Sequence, residues 1–442
     1  MPRSRRRRVP EGLFAAKIET FTEDGNGVAR VDDRRVRVFG ALPGETVRFR
    51  YTGRRRKNWE GAVVEVLDAS PDRVAPRCAH FGLCGGCSQQ HLDADARIGR
   101  KLQSLLDALG ECGVPPESVL PPLRGPRWGY RRKARLGVKD VAAKGRVLVG
   151  FRERGKPYVA EIDRCEILHP RVGGLLRELS DLIGGLSVRD RIPQIEMAMG
   201  DETLALVFRV LDPPSQEDLE RLRGFGNAHD LMVCLQEGGY ETIRALEEAP
   251  PELSYRPVAD GPTLYFGPAD FTQVNLDINR QMVGLALELL DLKPDDRVLD
   301  LFCGIGNYTL PLAQRAGRVV GVEGDAALVE RARDNARRNG IDNAEFHTTD
   351  LYRGFEDAPW LAERFDKLLL DPPRTGAAEV IPHLARLGVE RIVYVSCFPP
   401  TLARDAASLV HELGYRLVSA GVMDMFPHTA HVESIALFEA GS

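Results

Sequence analysis

From residue 266 onward, apolar runs alternate with helical segments, and no other feature of the chain narrows its fold as far. The runs at 297–302, 318–322, 344–349, 366–370, 391–396, 416–420 and 432–438 read as strands. Between them lie amphipathic stretches, among them 325–340, which has Asp325 as its cap and Gly340 as its stop. Strands that are apolar throughout are covered on both faces. Alternation with helices therefore predicts an α/β domain, a doubly wound and mostly parallel sheet. Such sheets bind ligands beyond the carboxyl ends of their strands, so chemistry-bearing residues are expected there.

The 177 residues from 266 to 442 are part of a longer design. Residues 10–70 contain short stretches of period two, such as Arg35-Val36-Arg37-Val38-Phe39, broken by Gly-rich turns. About five such strands close into a small OB-like β-barrel, following a basic arm over residues 1–9. A cysteine-rich loop follows at 71–92, then a helix within 93–122, and a strand-rich central α+β region over 123–265 whose topology the pattern does not give. Residues 71–92 and 123–265 are expected to form one central domain, with the 93–122 helix packing on the catalytic domain. With 43% hydrophobic and 28% charged residues the chain is of ordinary globular composition. No apolar run approaches a membrane span, and the five arginines at the start lead into no signal-peptide core, so a cytoplasmic protein is expected.

Charge is segregated. Residues 1–77 hold 18 Lys/Arg against 11 Asp/Glu and residues 124–156 hold 12 against 2, although the whole chain is at −4. Two basic clusters on an otherwise acidic body suit a polyanion such as RNA. In the second cluster Arg131, Lys133 and Arg135 fall on one strand face and are candidates to neutralise phosphates, with Trp128 and Tyr130 as stacking surface.

The segment Asp300-Leu301-Phe302-Cys303-Gly304-Ile305-Gly306-Asn307 runs from a buried strand into a Gly-rich turn and a helix. Thr309 replaces the third glycine of a dinucleotide site, and Glu323 ends the next strand, where a carboxylate can accept ribose hydroxyls. Together these resemble the S-adenosylmethionine loop of Rossmann-like class I methyltransferases. Asp350 follows the third strand and Asp371, in Asp371-Pro372-Pro373-Arg374, follows the fourth. Cys397 ends the fifth strand on a turn stiffened by Pro399 and Pro400, and Glu433 lies in the last strand. A thiolate added to C6 of a pyrimidine makes C5 nucleophilic, and a base must afterwards remove the C5 proton. Cys397 and Glu433 are the candidates; His428 and His431 are weaker ones, and Cys303 is the rival nucleophile.

These motifs resemble the RNA uracil-5-methyltransferase family, with its SC(x)P nucleophile loop and final HxE. The resemblance implies donor contacts by Gln273, Phe302, Gly304, Gly306, Asn307, Glu323, Asp350 and Asp371, catalysis by Cys397 and Glu433, and S-adenosyl-L-methionine as cofactor. Phe271, in Phe271-Thr272-Gln273-Val274-Asn275, is a candidate to stack on the uracil. The segments 24–29 and 40–45 resemble the TRAM domain, an RNA-binding barrel. Cys78, Cys84 and Cys87, with Cys165 downstream, have a spacing that leaves zinc and an iron–sulfur cluster open. Resemblance to the cluster-bearing branch of the family implies a [4Fe-4S] cluster, and the same branch implies 23S ribosomal RNA as partner. Cys234 reads as core, and Cys112 has no assigned role. A monomer that binds no membrane is expected. The rivals are a different RNA target, a non-catalytic RNA-binding or assembly factor, and an iron–sulfur electron carrier.

Overall fold

A computed structural model describes residues 9–55, 58–248 and 250–441; the basic arm therefore lies almost wholly outside the described residues. The chain forms two compact units. One comprises residues up to 100 with 152–158 and 426–431, and the other 101–151, 159–425 and 432–442.

In the first unit, six strands among the described residues form one sheet: Phe14–Lys17, Thr20–Phe21, Gly27–Val31, Arg34–Phe39, Thr46–Arg55 and Asn58–Asp68. Phe14–Lys17 lies at one edge and Thr20–Phe21 at the other, yet only Ile18 and Glu19 separate them in the chain. The sheet must therefore curl until its edges meet. Ile18, Val36, Val38, Val47, Phe49 and Trp59 fill the inside. Gly61 admits Phe49, because a Cβ there would stand 2.7 Å from its ring.

The cysteine segment 71–92 belongs to this unit and not, as its sequence grouping implied, to the central region. The reason is an ion pair and an aromatic cluster. Glu45 is fully buried and takes both Arg73 Nε and Arg73 Nη2, at 2.5 and 2.7 Å. Phe81 packs 5.5 Å from Phe39 and 5.4 Å from the buried His91.

The second unit contains a central sheet in the spatial order Arg244–Ala245, Met232–Gln236, Leu204–Arg209, Gln194–Met199, Lys133–Val141, Arg146–Gly150. A two-stranded ribbon, Leu253–Tyr255 with Leu264–Phe266, leads to the larger sheet. Its strands are β1 (Arg297–Leu301), β2 (Arg318–Glu323), β3 (Ala344–Thr348), β4 (Lys367–Leu370), β5 (Arg391–Ser396), β6 (Tyr415–Met423) and β7 (Glu433–Ala440). They lie in the order β3-β2-β1-β4-β5-β7-β6, with the short strand Ser118–Val119 beyond β6. β1 to β5 are parallel and β7 runs antiparallel to both neighbours. The doubly wound sheet expected from the apolar runs is thus present, and its last strand turns against the rest.

One apolar cluster joins Ala205, Val207 and Cys234 of the central sheet to Phe266 of the ribbon and to Ile305, Leu310 and Phe346 beside the large sheet. The boundary placed at 265 therefore cuts through a shared core. Cys234 is 2% exposed in that cluster, and burial pushes its thiol up to about 12, as suits a core residue. No helix among the described residues is long and apolar enough to cross a membrane.

Candidate active site

The register of the large sheet sets the site. Leu301 pairs with Val322 and with Leu370, Leu370 with Tyr394, and Glu323 with Thr348. The residues that follow β1, β3, β4 and β5, and Glu323 at the end of β2, therefore leave the sheet along one edge. Because β7 runs the other way, its first residue reaches that same edge.

After β1 the chain turns sharply. Phe302 has φ +67°, Gly304 +56° and Gly306 +93°. A bulky residue at positive φ costs about 1–3 kcal/mol and persists only where its surroundings impose it. Here the Phe302 N–H bonds to Val322 O at 2.9 Å, and its ring lies 5.9 Å from Tyr352. Glu323 is fixed by backbone donors: Gly304 N at 3.2 Å on one oxygen, Gly324 N at 2.7 Å and Asp325 N at 3.1 Å on the other. Asp350 is exposed, and Tyr352 N donates to it at 2.9 Å. The Asn307 amide is held internally: Tyr255 OH and Asn279 Nδ2 both donate to its Oδ1 at 3.0 Å, and its own Nδ2 donates to Asn279 Oδ1 at 3.0 Å. Gln273 is half-buried in the segment leading to the helix Leu276–Leu290, and Phe271 beside it is 68% exposed.

Across β5 and β7, Ser396 is the register partner of Ser434. Continued by one residue, this register sets Cys397, just past the end of β5, opposite Glu433, and the charge of Glu433 acts on the Cys397 thiol. Burial, together with the charges of Glu433 and Asp371, pushes the Cys397 thiol up to about 11, while Arg374 draws it down. Burial, reinforced by Asp371, pushes the Glu433 carboxyl up to about 8, and Lys101 and Arg374 oppose it. Burial alone lifts Asp371 to about 7. Three acids with raised titration thus lie together at one edge of the sheet.

Cys303 drops out as nucleophile. It is 3% exposed, its sulfur lies 3.1 Å from where a Cβ on Gly321 would be, and burial holds its thiol well above the ordinary range.

A model of the tRNA (uracil-5-)-methyltransferase family matches residues 257–440. The 23S rRNA (uracil(1939)-C(5))-methyltransferase of Alkalilimnicola ehrlichii is 57% identical over 98% of both chains, and that of Methylococcus capsulatus is 53% identical over 99% of both. The chain belongs to the RNA uracil-5-methyltransferase family. Among solved structures, the Pyrococcus abyssi tRNA (uracil-54, C5)-methyltransferase in complex with S-adenosyl-L-homocysteine superposes with a TM-score of 0.74. It is 23% identical, with 96% of this chain and 99% of that one covered, so it shares the fold.

In this uracil-5-methyltransferase the basic stretch is used differently from what its sequence suggested. Lys133 is half-buried and spends its ammonium on the carbonyls of Pro268 and Asp270, just ahead of Phe271; burial lowers it to about 8. Arg131 donates to Lys133 O at 3.0 Å and lies over Phe151. Arg135 is exposed and pairs with Glu196 at 3.0 Å and Tyr240 OH at 2.7 Å. Tyr130 is only 3% exposed and offers no stacking face. Of the three cations, Arg135 alone keeps an exposed side chain, because Arg131 and Lys133 on the same face meet backbone carbonyls at residues 133, 268 and 270.

Cys78, Cys84 and Cys87 are half-buried in the first unit, whereas Cys165 belongs to the second. Gly86 N–H points at Cys84 Sγ at 3.4 Å, and Arg154 donates to Cys87 O at 2.5 Å. Among the described residues no group of three or more His, Cys, Asp and Glu is arranged to hold a metal ion. His428 and His431 belong to the first unit, Glu433 to the second.

Sequence reasoning missed Arg374 and Lys101 as the cations acting on the base, and Asn279 and Tyr255 as the clamp on Asn307. Arg374 stood in view inside the DPPR motif. Lys101 and Asn279 lie on helices whose pattern announced only an apolar face.

Proposed function

We propose that this chain methylates C5 of a uridine in 23S ribosomal RNA, with S-adenosyl-L-methionine as donor. The observation that carries it is the pairing of Cys397 with Glu433 at the carboxyl edge, beside the strained glycine turn after β1. Along that edge lie, in spatial order, Asp350 after β3, Glu323 at the end of β2, Phe302, Gly304 and Gly306 after β1, and Asp371 after β4, which supports them as donor contacts, with Gln273 as a further one. When bound, the donor supplies an electrophilic methyl group on a sulfonium sulfur.

Cys397 loses its proton and bonds through Sγ to C6 of the uracil, and the C5–C6 electron pair is thereby freed at C5. After C5 has taken the methyl group, Glu433 as carboxylate removes the proton left on C5. The double bond reforms and Cys397 leaves as thiolate, so the net proton released comes from C5. C5 is inaccessible in a stacked helix, so the nucleotide is extruded or already unpaired. The exposed ring of Phe271 is suited to stack on it.

Methyl transfer from labelled donor into 23S rRNA from a strain lacking this protein, mapped by mass spectrometry of digested RNA, tests the assignment. One modified uridine, methylated at C5, is expected. No incorporation would favour the non-catalytic assembly factor, and incorporation into tRNA alone would move the target.

We further propose that Cys78, Cys84 and Cys87 ligate a [4Fe-4S] cluster with a structural or RNA-orienting role. Support comes from the donor chemistry: three thiols within one unit, one already facing a backbone N–H of the kind that stabilises cluster sulfur. Anaerobically purified protein is expected to carry roughly four irons per chain, and Cys84→Ser to lose them. Iron-free protein of full stability and activity would refute this.

A further inference from the structure

The helix Ala94–Glu111 delivers a charge to the base that the scheme above does not use. Lys101 Nζ donates to Asp424 Oδ1 at 2.9 Å, with side chains 3% and 9% exposed. Asp424 directly follows β6, whose last residue, Met423, is the register partner of Glu433. Desolvating such a pair costs several kcal/mol per ion, and well-packed apolar residues in its place are often as stable. Stability alone therefore gives weak reason for a buried ammonium at this point.

Within this unit the charged and titratable groups around Glu433 are Asp371 and Arg374 after β4, Cys397 after β5, Asp424 after β6, Tyr308 after β1, and Lys101. Burial and Asp371 favour the neutral carboxyl, while Lys101 and Arg374 favour the carboxylate. The two cations differ in kind. Arg374 is exposed, so water and salt screen it, and RNA phosphates would compete for it. Lys101 is buried, where a charge acts at short range through a medium of low dielectric. We infer that Lys101 is a positioning residue of the reaction, a buried ammonium anchored by Asp424 that draws Glu433 toward the ionised form able to remove the C5 proton. The inference rests on the uracil-5 methylation proposed above.

The experiment uses RNA tritiated at C5 of the target uridine, whose release of tritium to water reports breakage of that bond. With the wild-type chain, release rises with pH, and the limb that belongs to Glu433 has its midpoint near 8. Lys101→Met is expected to displace the rising limb upward by about one pH unit, lowering release at pH 7 about tenfold with KM for RNA unchanged. Lys101→Arg restores the limb. Asp424→Asn, which removes the anion and keeps the ammonium, leaves the limb in place or moves it downward. A Lys101→Met profile that falls by one factor at every pH overturns the inference. So does an upward shift in Asp424→Asn, which decides the matter should Lys101→Met fail to fold. Wild-type protein that releases no tritium would instead defeat the methylation reading itself, and this inference with it.

Discussion

Cys397→Ala is expected to lower methyl transfer into 23S rRNA by at least about 10⁴-fold, with the melting temperature within about 2 °C of wild type. No other thiol can take its place. Cys303, within the glycine turn, faces Gly321 and the core. The loss concerns activation and not binding, so KM for RNA should hold while kcat falls. A thiol at about 11 is ionised in about one molecule in 10⁴ at pH 7, because burial and two carboxyl groups oppose the thiolate. Formation of the ring–sulfur bond should therefore climb with pH, nearly tenfold per unit between 7 and 9. RNA carrying 5-fluorouridine at the target checks both points. Fluorine cannot be removed as a proton, so the covalent complex persists once methylated and can be counted on a denaturing gel. An adduct formed by Cys397→Ala at the wild-type rate would reassign the nucleophile. The modest change in stability follows from the position of the residue, half-buried at a strand end where truncation leaves little void.

The residues that perform this chemistry were legible because strand ends have a signature. Apolar runs fixed where β1, β4 and β5 stop, and the residue types just past them, glycines, an Asp-Pro-Pro and a Ser-Cys-x-Pro, are types that turns and ligand sites need. Glu433 was legible for the opposite reason, as a carboxyl group opening an apolar strand. The pairing of Cys397 with Glu433 was not, since it depends on β7 running against β5, and neither strand encodes its direction. Lys133 was misleading for a related reason: period-two spacing places a cation on a face but does not say whether that face meets water or the carbonyls of Pro268 and Asp270. The grouping of 71–92 failed because its partners lie far earlier in the chain, Glu45 28 residues before Arg73 and Phe39 42 before Phe81, in a sheet that had yet to be closed.

Glu433→Gln separates the two halves of the reaction. The amide has nearly the size of the carboxyl group but cannot accept the C5 proton, so addition and methyl transfer should proceed and elimination should stall. Steady-state turnover is expected to drop by about 10²–10⁴-fold, while a covalent protein–RNA complex accumulates on ordinary uridine RNA, no fluorine being needed. Wild-type turnover should show a rising limb with its midpoint near 8, where the Glu433 carboxyl is half ionised, and the variant should lose that limb. Stability gives an independent reading with a fixed sign. A carboxyl raised from 4.5 to about 8 keeps its proton in the folded chain across a range where the unfolded chain has lost it. Its contribution therefore becomes less favourable as pH climbs from about 4.5 to 8, at about 1.4 kcal/mol per unit at most. Gln carries no such dependence. The variant should thus melt at the wild-type temperature near pH 4 and at least about 2 °C above wild type at pH 8.5. Equal melting temperatures at both pH values would mean that Glu433 is ionised and well solvated in the folded chain, leaving it a weaker base than the elimination step requires.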